Sequence, residues 1–233
     1  MPLLIAVFAA LAAVDITGVV IGLPVLEWIA KPLLAPVLAL HLWRVTGRRH
    51  RPVLAGLGFA TAGDVALLVP GATAFGIGLA CFLGAQICWT TAFVRAGAVA
   101  HLRPRRALCV GYLAVWTAAV VLLAPSLDAA MAVALSLYSL ALVVMAATAH
   151  VKGPRAAWGG AVFLVSDMLI GLGAAGIDFA GRTMLVMPTY TVALVLLVTA
   201  FTADAGTAAE TDHREGASGS PNPETGARVG VEP

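Results

Sequence analysis

Residues 161–176 read AVFLVSDMLIGLGAAG, an apolar run with one charged residue, Asp167. Residues 57–69, LGFATAGDVALLV, likewise hold one, Asp64. Neither run alternates apolar and polar residues as strands of a membrane barrel do, and both belong to segments long enough to cross about 30 Å of hydrocarbon as helices. An ionised carboxylate at the bilayer centre costs about 2.5–3.5 kcal/mol. The two stretches therefore predict membrane helices in which other polar groups stabilise the two aspartates. They also indicate that the aspartates have a function.

The composition of the whole chain supports this interpretation. The chain is 61% hydrophobic and 11% charged, with a mean hydropathy of +0.96, whereas soluble domains carry about 25% charged residues. We therefore expect an all-α integral membrane protein, and 233 residues suit a single bundle with short loops.

Hydropathy divides the bundle into eight predicted spans. They cover about residues 3–23, 28–43, 53–69, 74–95, 106–124, 128–149, 156–177 and 183–203. The second span is short, opens with Lys31-Pro32 and contains Pro36, so we expect it to be kinked or partly re-entrant. From about Asp204 the sequence turns to Glu, Asp, Gly, Ser, Thr and Pro, which cannot bury enough apolar surface to order itself. Residues 1–203 are thus predicted to form the transmembrane domain, and 204–233 a disordered tail.

The basic residues predict the orientation. They lie in the loops after the even-numbered spans, at Arg44, Arg48, Arg49, Arg51, Arg95, Arg103, Arg105, Arg106, Lys152 and Arg155. The positive-inside rule places these loops, both termini and the tail in the cytoplasm. We expect a multi-pass protein of the cell membrane, such as a bacterial inner or plasma membrane. The basic residues form no single stripe interleaved with aromatics, so nucleic acid is not an expected partner; the lipid bilayer is.

Several polar residues share the level of the two aspartates. Asp64 and Asp167 each lie 11 residues into their spans, about 16 Å from the cytoplasmic edge. Asp15 lies at a similar level, and Glu27 and Lys31 lie at the extracytoplasmic mouth of span two. The other polar side chains expected within the hydrocarbon are Gln86, Tyr138 and Tyr190. We expect a polar cluster near mid-depth that is open toward the outer side.

Two carboxyl groups in a low-dielectric cavity can perform acid–base chemistry. Desolvation and mutual repulsion favour a state in which one is protonated and the other ionised. Such a pair suits hydrolysis through a cationic transition state, with one acid donating a proton and one base activating water. The structural alternative is that each aspartate only bonds a neighbouring helix, worth about 0.6–2 kcal/mol. No serine elbow, paired-histidine zinc motif or phosphate-binding glycine loop is evident, so neither a metal nor a cofactor is expected.

A set of short motifs resembles the lysoplasmalogenase, or YhhN-like, family of eight-span membrane proteins. The matching pieces are Lys31-Pro32-Leu33-Leu34, Gly63-Asp64 with Leu67-Leu68, Phe82, Tyr138 with Met145, residues 160–167 (GAVFLVSD) and Tyr190. They follow the family's order over about residues 25–200. The resemblance implies cleavage of the vinyl ether bond of a lysophospholipid, a lysoplasmalogen, to a fatty aldehyde and glycerophosphoethanolamine or glycerophosphocholine.

Roles for individual residues follow from the resemblance and the residue chemistry together. Asp64 and Asp167 would be the acid/base pair, in either order. Lys31 would bind the phosphate as a point charge, and Tyr190 would line the pocket or orient water. The remaining residues expected to contact substrate are Gln86, Tyr138 and Asp15.

Two other functions stay open at the level of sequence. Mid-membrane carboxylates also mark proton relays, so a small proton-coupled transporter is one alternative; the two Asp-bearing spans run in the same direction, which disfavours an inverted repeat. A catalytically silent, lipid-binding family member is the other. It is motivated by Gln86 and Leu194, where relatives commonly carry histidine and glutamine; Trp89 is a further departure, at a position where they commonly carry tyrosine. The sequence does not indicate an oligomeric state.

Overall fold

The fold is a bundle of antiparallel helices that run from one end of the molecule to the other. A computed structural model describes the backbone of residues 2–218 and the side chains of residues 3–203. Its α-helices are α1 (Pro2–Ile21), α2 (Pro24–Thr46), α3 (Arg51–Leu68), α4 (Ala72–Arg95), α5 (Ala98–Leu102), α6 (Arg106–Leu123), α7 (Ala129–Ala149), α8 (Pro154–Ala174) and α9 (Arg182–Ser218). Every helix except the five-residue α5 is long and apolar enough to cross a membrane. The all-α, eight-span prediction is therefore confirmed.

Glycine and proline set where the long helices begin. Gly71, with φ +121°, precedes α4, and Gly153, with φ +84°, precedes α8, in a region of backbone conformation that favours glycine. Proline occupies the first turn of α2, α3 and α8, where its missing N–H has no helical partner to lose. At α7 the Asp128 side chain instead accepts a hydrogen bond from the Met131 N–H at 3.0 Å.

The prediction for the second span was wrong in its length and in the re-entrant alternative, whereas the kink stays a prediction. Helix α2 is continuous over 23 residues, and both Pro32 and Pro36 lie inside it. It is neither short nor re-entrant. Membrane helices tolerate internal proline because neighbouring helices and local adjustments satisfy the freed backbone groups. Packing supports α2 strongly, since Ala30, Leu34 and Leu38 on one face of the helix are fully buried.

The core lies among α2, α3, α4, α7, α8 and α9. Its largest fully buried side chains are Trp89, Phe93, Phe163, Phe201, Leu34, Leu38, Leu42, Leu57, Leu142, Met145, Leu194 and Leu197. Helix α1 packs on α2 and α9. Helix α6 differs from the rest, since it buries no residue and packs mainly on α7. One hydrogen bond, from Trp116 Nε1 to the Ser136 carbonyl at 3.1 Å, joins α6 to α7.

The two ends of the bundle differ in charge. We call the end with the connections α2–α3, α4–α6 and α7–α8 the basic end, because it carries the arginines and lysine that predict the orientation. The other end, with the connections α1–α2, α3–α4, α6–α7 and α8–α9, is called the opposite end. The predicted domain boundary at residue 203 falls inside α9, whose side chains are described only to Ala203. Beyond residue 218 the predicted tail lies outside the described residues, and its disorder stays a prediction.

Candidate active site

Each of the two aspartates within the long apolar helices is hydrogen-bonded to a tyrosine from another helix. The Tyr190 hydroxyl donates to Asp64 Oδ2 at 2.7 Å, joining α9 to α3. The Tyr138 hydroxyl donates to Asp167 Oδ2, joining α7 to α8. Asp64 is 2% exposed and Tyr190 is also buried, whereas Asp167 is half-buried. Four residues proposed from the sequence thus form two carboxyl–phenol pairs.

The Tyr138–Asp167 pair is placed by a close approach of α7 and α8. A Cβ added at Gly160 of α8 would lie 2.8 Å from the Cα of Ala146 in α7, so only glycine permits this separation. The two helices are antiparallel neighbours. Tyr138 lies eight residues before Ala146, and Asp167 lies seven residues after Gly160. Both steps cover about two helical turns, which brings the two side chains together.

Aromatic rings fix the Tyr190–Asp64 pair. The ring of Tyr190 makes edge-to-face contacts with Phe82 and Phe163, with centroids 6.0 Å and 5.7 Å apart. Gly63, the residue before Asp64, leaves room for Phe82, because a Cβ there would lie 2.7 Å from the phenyl ring. The small residue before Asp64 therefore admits the ring that orients its tyrosine partner.

The two pairs belong to one electrostatic cluster. The charges of Lys31, Asp15 and Asp167 all act on the Asp64 carboxyl group. Asp15 is fully buried, and neither of its carboxyl oxygens has a hydrogen-bond partner within the described part of the chain. The Gln86 amide is likewise buried; it lies beside the Tyr138 hydroxyl but without the geometry of a hydrogen bond. Buried polar groups of this kind are usually satisfied by water or ligand atoms.

An apolar cavity of about 300 Å³ opens beside Asp167. It lies between α4, α6, α7 and α8, and Phe82, Trp116 and Leu142 are among its walls. Tyr138 and Asp167 bring their hydrogen-bonded pair to this otherwise apolar lining. The cavity suits a hydrocarbon chain whose polar end meets the Asp167 carboxyl group.

A second cavity, of about 530 Å³, lies at the opposite end and is called the outer cavity. Its charged lining residues are Glu27, Lys31 and Arg182. The two cavities adjoin, because Leu67, Phe75 and Ile170 line both. A molecule with a charged head and an apolar tail could therefore occupy both at once.

The arrangement differs from the sequence-based expectation in two respects. Asp64 lies 13 residues after Arg51 and four before Leu68, so it is about 20 Å from the basic end of α3 and only about 6 Å from the other. Asp64, Tyr190, Asp15 and Gln86 also line neither cavity. Of the proposed substrate-binding residues, only Lys31 and Tyr138 reach a cavity wall.

Arg182 is the site residue that the sequence analysis missed. Its charge departs from the asymmetry of the loops, because it lies at the opposite end of the bundle. Two signals could have identified it: it follows Gly181 at the start of α9, and Asp178 lies four residues earlier. Among the residues whose side chains are described, no group of three or more His, Cys, Asp or Glu could hold a metal ion.

Comparison with known proteins gives one match. The sequence model of the YhhN family matches residues 26–201, which is more than half of the chain. The matched segment includes every proposed site residue except Asp15. No curated protein and no solved structure matches the chain.

Proposed function

The chain belongs to the YhhN family, and we propose that it is a membrane hydrolase that cleaves the vinyl ether bond of lysoplasmalogens. The products are a fatty aldehyde and glycerophosphoethanolamine or glycerophosphocholine. One observation carries the proposal: two tyrosine-bonded carboxyl groups lie in one buried cluster, and one of them lines an apolar cavity that adjoins a charged one.

The chemistry of vinyl ether hydrolysis requires an acid and a base. A proton adds to the carbon of the double bond that is remote from the ether oxygen, and the other alkene carbon becomes an oxocarbenium ion. Water adds to that ion and loses a proton, giving a hemiacetal. The hemiacetal hydroxyl then loses its proton as the bond to the glycerol oxygen breaks, the glycerol oxygen takes up a proton, and the aldehyde is released. Glycosidases stabilise a similar cation with two carboxyl groups.

The positions of the two aspartates support a division of these roles. Asp167 lines the apolar cavity, so it is placed to deliver the first proton to a carbon of the alkenyl chain. Asp64 is buried, bonded to Tyr190 and absent from both cavity walls, and we assign it the other role, as the base for water. Tyr138 and Tyr190 hold the two carboxyl groups in position through their hydroxyls.

The other predicted site residues act around this pair. Lys31 lines the outer cavity and binds the substrate phosphate. Asp15 and Gln86 are buried with polar atoms that have no partner among the described residues, and they hold the water that enters the reaction. The apolar cavity takes the alkenyl chain.

The test is aldehyde release from lysoplasmenylethanolamine by purified protein in detergent. Asp64→Asn and Asp167→Asn are expected to lower kcat by at least about a hundredfold, the usual contribution of a positioned acid or base. Asp128→Asn serves as the control and should retain turnover, because this exposed residue lines neither cavity and asparagine also makes its helix-capping hydrogen bond. Well-folded wild type that releases no aldehyde, across head groups and pH, would refute the hydrolase.

The rival functions give different results in the same preparation. A lipid-binding protein without activity would bind lysoplasmalogen saturably and leave it intact. A proton-coupled transporter would also suit the buried Asp15 carboxyl group, which has no hydrogen-bond partner in the part of the chain that the structure describes. Such a transporter would move protons across the membrane of proteoliposomes together with its substrate and would not alter that substrate chemically.

A further inference from the structure

We propose that the outer cavity is a binding site for a zwitterionic head group, in which Arg182 and Lys31 bind the phosphate and Glu27 binds the amine. The inference rests on the proposed function, because it takes the lysophospholipid as the ligand. It adds two residues, Glu27 and Arg182, that the proposed chemistry does not use. It also assigns the preference among head groups to this cavity.

The guanidinium group of Arg182 is fixed in place by two hydrogen bonds. Its Nε donates to Asp178 Oδ1 at 2.9 Å, and its Nη1 donates to the carbonyl of Leu169, five residues before the end of α8, at 2.9 Å. The Arg182 side chain is only 17% exposed, whereas that of Asp178 is 73% exposed. The Nη2 group has no hydrogen-bond partner among the described residues, so the guanidinium group still has N–H donors for an anion.

Asp178 orients Arg182 without occupying the cavity. The hydrogen bond from Arg182 holds the pKa of Asp178 below its usual value, so the aspartate is ionised at neutral pH. Arg182 lines the outer cavity and Asp178 does not. An exposed carboxylate in high dielectric neutralises its partner only weakly. The guanidinium therefore still presents positive charge to the cavity.

Glu27 and Lys31 supply charges of opposite sign from one face of α2. They are four residues apart, so they share a helix face with Lys31 about 6 Å deeper. Neither makes a hydrogen bond or an ion pair of 4 Å or less with another residue of the described chain. Both line the outer cavity and are half-buried. Their charges are thus available to a ligand.

The set matches one class of head group. Two cations and one anion complement a phosphodiester joined by a two-carbon linker to an ammonium group. A head group that ends in glycerol would leave Glu27 facing the phosphate with no cation to pair with it. Because the outer cavity adjoins the apolar one, a lipid bound in this way places its chain beside Asp167.

The test is binding of lysolipids that carry a saturated ether chain, which cannot be hydrolysed as vinyl ethers. Their affinities for the purified full chain are measured by calorimetry, with phosphoethanolamine, phosphocholine and phosphoglycerol head groups. Wild type is expected to bind the two amine-bearing lipids about tenfold more tightly than the glycerol one, the lower end of what a charged hydrogen bond contributes. Glu27→Gln is expected to reduce that ratio to about threefold or less.

Arg182 variants test the phosphate contact separately. Arg182→Gln is expected to weaken binding of all three lipids by about tenfold, and by the same factor for each. Arg155→Gln, an exposed arginine at the basic end, is the matched control and leaves the three affinities unchanged. Because Arg182 also bonds the Leu169 carbonyl of α8, Thr183→Glu provides a second variant. It adds an anion to the cavity wall and keeps Arg182, and it should weaken all three lipids as well.

The outcomes separate this inference from the proposed reaction. A Glu27→Gln protein that keeps the wild-type preference, or folded Arg182→Gln and Thr183→Glu proteins that keep wild-type affinity, would overturn the head-group site. So would wild type that binds none of the lipids. Aldehyde release is measured independently, and binding with the expected selectivity but no turnover would uphold the site while refuting the hydrolase.

Discussion

A carboxyl group inside a bundle of apolar helices is stabilised by a hydrogen-bond donor, and tyrosine provides one without adding a charge. Asp64 and Asp167 each receive a phenol hydroxyl from a different helix. Asn or Ser could bridge helices with less desolvation than an aspartate. The use of two Asp–Tyr pairs is therefore better explained by a need for groups that gain and lose protons than by helix association alone.

Removing either hydroxyl is expected to disturb its carboxyl group. Tyr138→Phe and Tyr190→Phe each delete a hydrogen bond to an ionisable partner, which contributes about 1.5–3 kcal/mol. If that energy holds the carboxyl group in its reactive position, kcat for aldehyde release falls by about 10- to 150-fold with a smaller change in KM. Steady-state kinetics in detergent measure both constants.

A third tyrosine supplies the control for this pair. The Tyr112 hydroxyl is hydrogen-bonded to His150 Nε2 at 3.1 Å. This bond includes neither aspartate, so Tyr112→Phe should leave kcat within about twofold of wild type. Equal losses of kcat in all three variants would mean that the substitutions disturb the fold in general and do not act through the Asp64 and Asp167 carboxyl groups.

At the scale of the helices, the close packing of α7 against α8 brings the Tyr138–Asp167 pair together. Gly160→Ala would place a methyl group 2.8 Å from the backbone of Ala146, which must push α7 and α8 apart. Overpacking of this kind costs about 1–3 kcal/mol. We expect a lower melting temperature in detergent, and a loss of turnover at temperatures where the variant is still folded, since Asp167 and Tyr138 would separate.

Gly58→Ala is the matched change elsewhere in the bundle. A Cβ at Gly58 in α3 would meet no atom within 4 Å, and replacing a helical glycine by alanine stabilises by about 0.5–1 kcal/mol. The melting temperature should therefore rise slightly and the activity should persist. If the two variants melted alike, the close contact at Gly160 would not be what separates these helices.

The elements themselves were largely predictable from hydropathy. The eight long apolar runs predicted the eight long helices because each run is bounded by turn residues or charges. Helix α2 was misjudged because Pro32 and Pro36 were weighted by the rules of soluble helices. The five-residue α5 was missed because its few residues show no periodicity.

Topology is a property of the whole molecule, and it remains a prediction. An even number of spans puts both termini on one side, and the arginines at the basic end place that side in the cytoplasm. Fusions of a reporter that is active only in the cytoplasm, attached at either terminus, should both be active. Fusions inside the connection 175–181 should be inactive. The reverse pattern would place the outer cavity on the cytoplasmic side.

The residues of the site were easier to predict than their arrangement. Asp64 and Asp167 stand out because a charge in an apolar run is costly, and the tyrosines lie at matching levels. Only one of the two aspartates lines the apolar cavity, because α4, α6, α7 and α8 leave space beside it. A residue's depth along its helix, which is all that the sequence provides, does not show where neighbouring helices leave such a space. Arg182 escaped notice for the same reason, because its value lies in sharing a cavity with Lys31 and Glu27.

Helix α6 buries no side chain, and this has an evolutionary consequence. Most of its surface packs against no other helix, so the free energy of transferring a side chain into lipid is the main constraint on substitutions there. Residues on the lipid-facing side can exchange freely among Leu, Val, Ala and Phe, while the side that faces α7 and the apolar cavity keeps its volume. Related chains are expected to drift most in α6 while preserving its hydropathy.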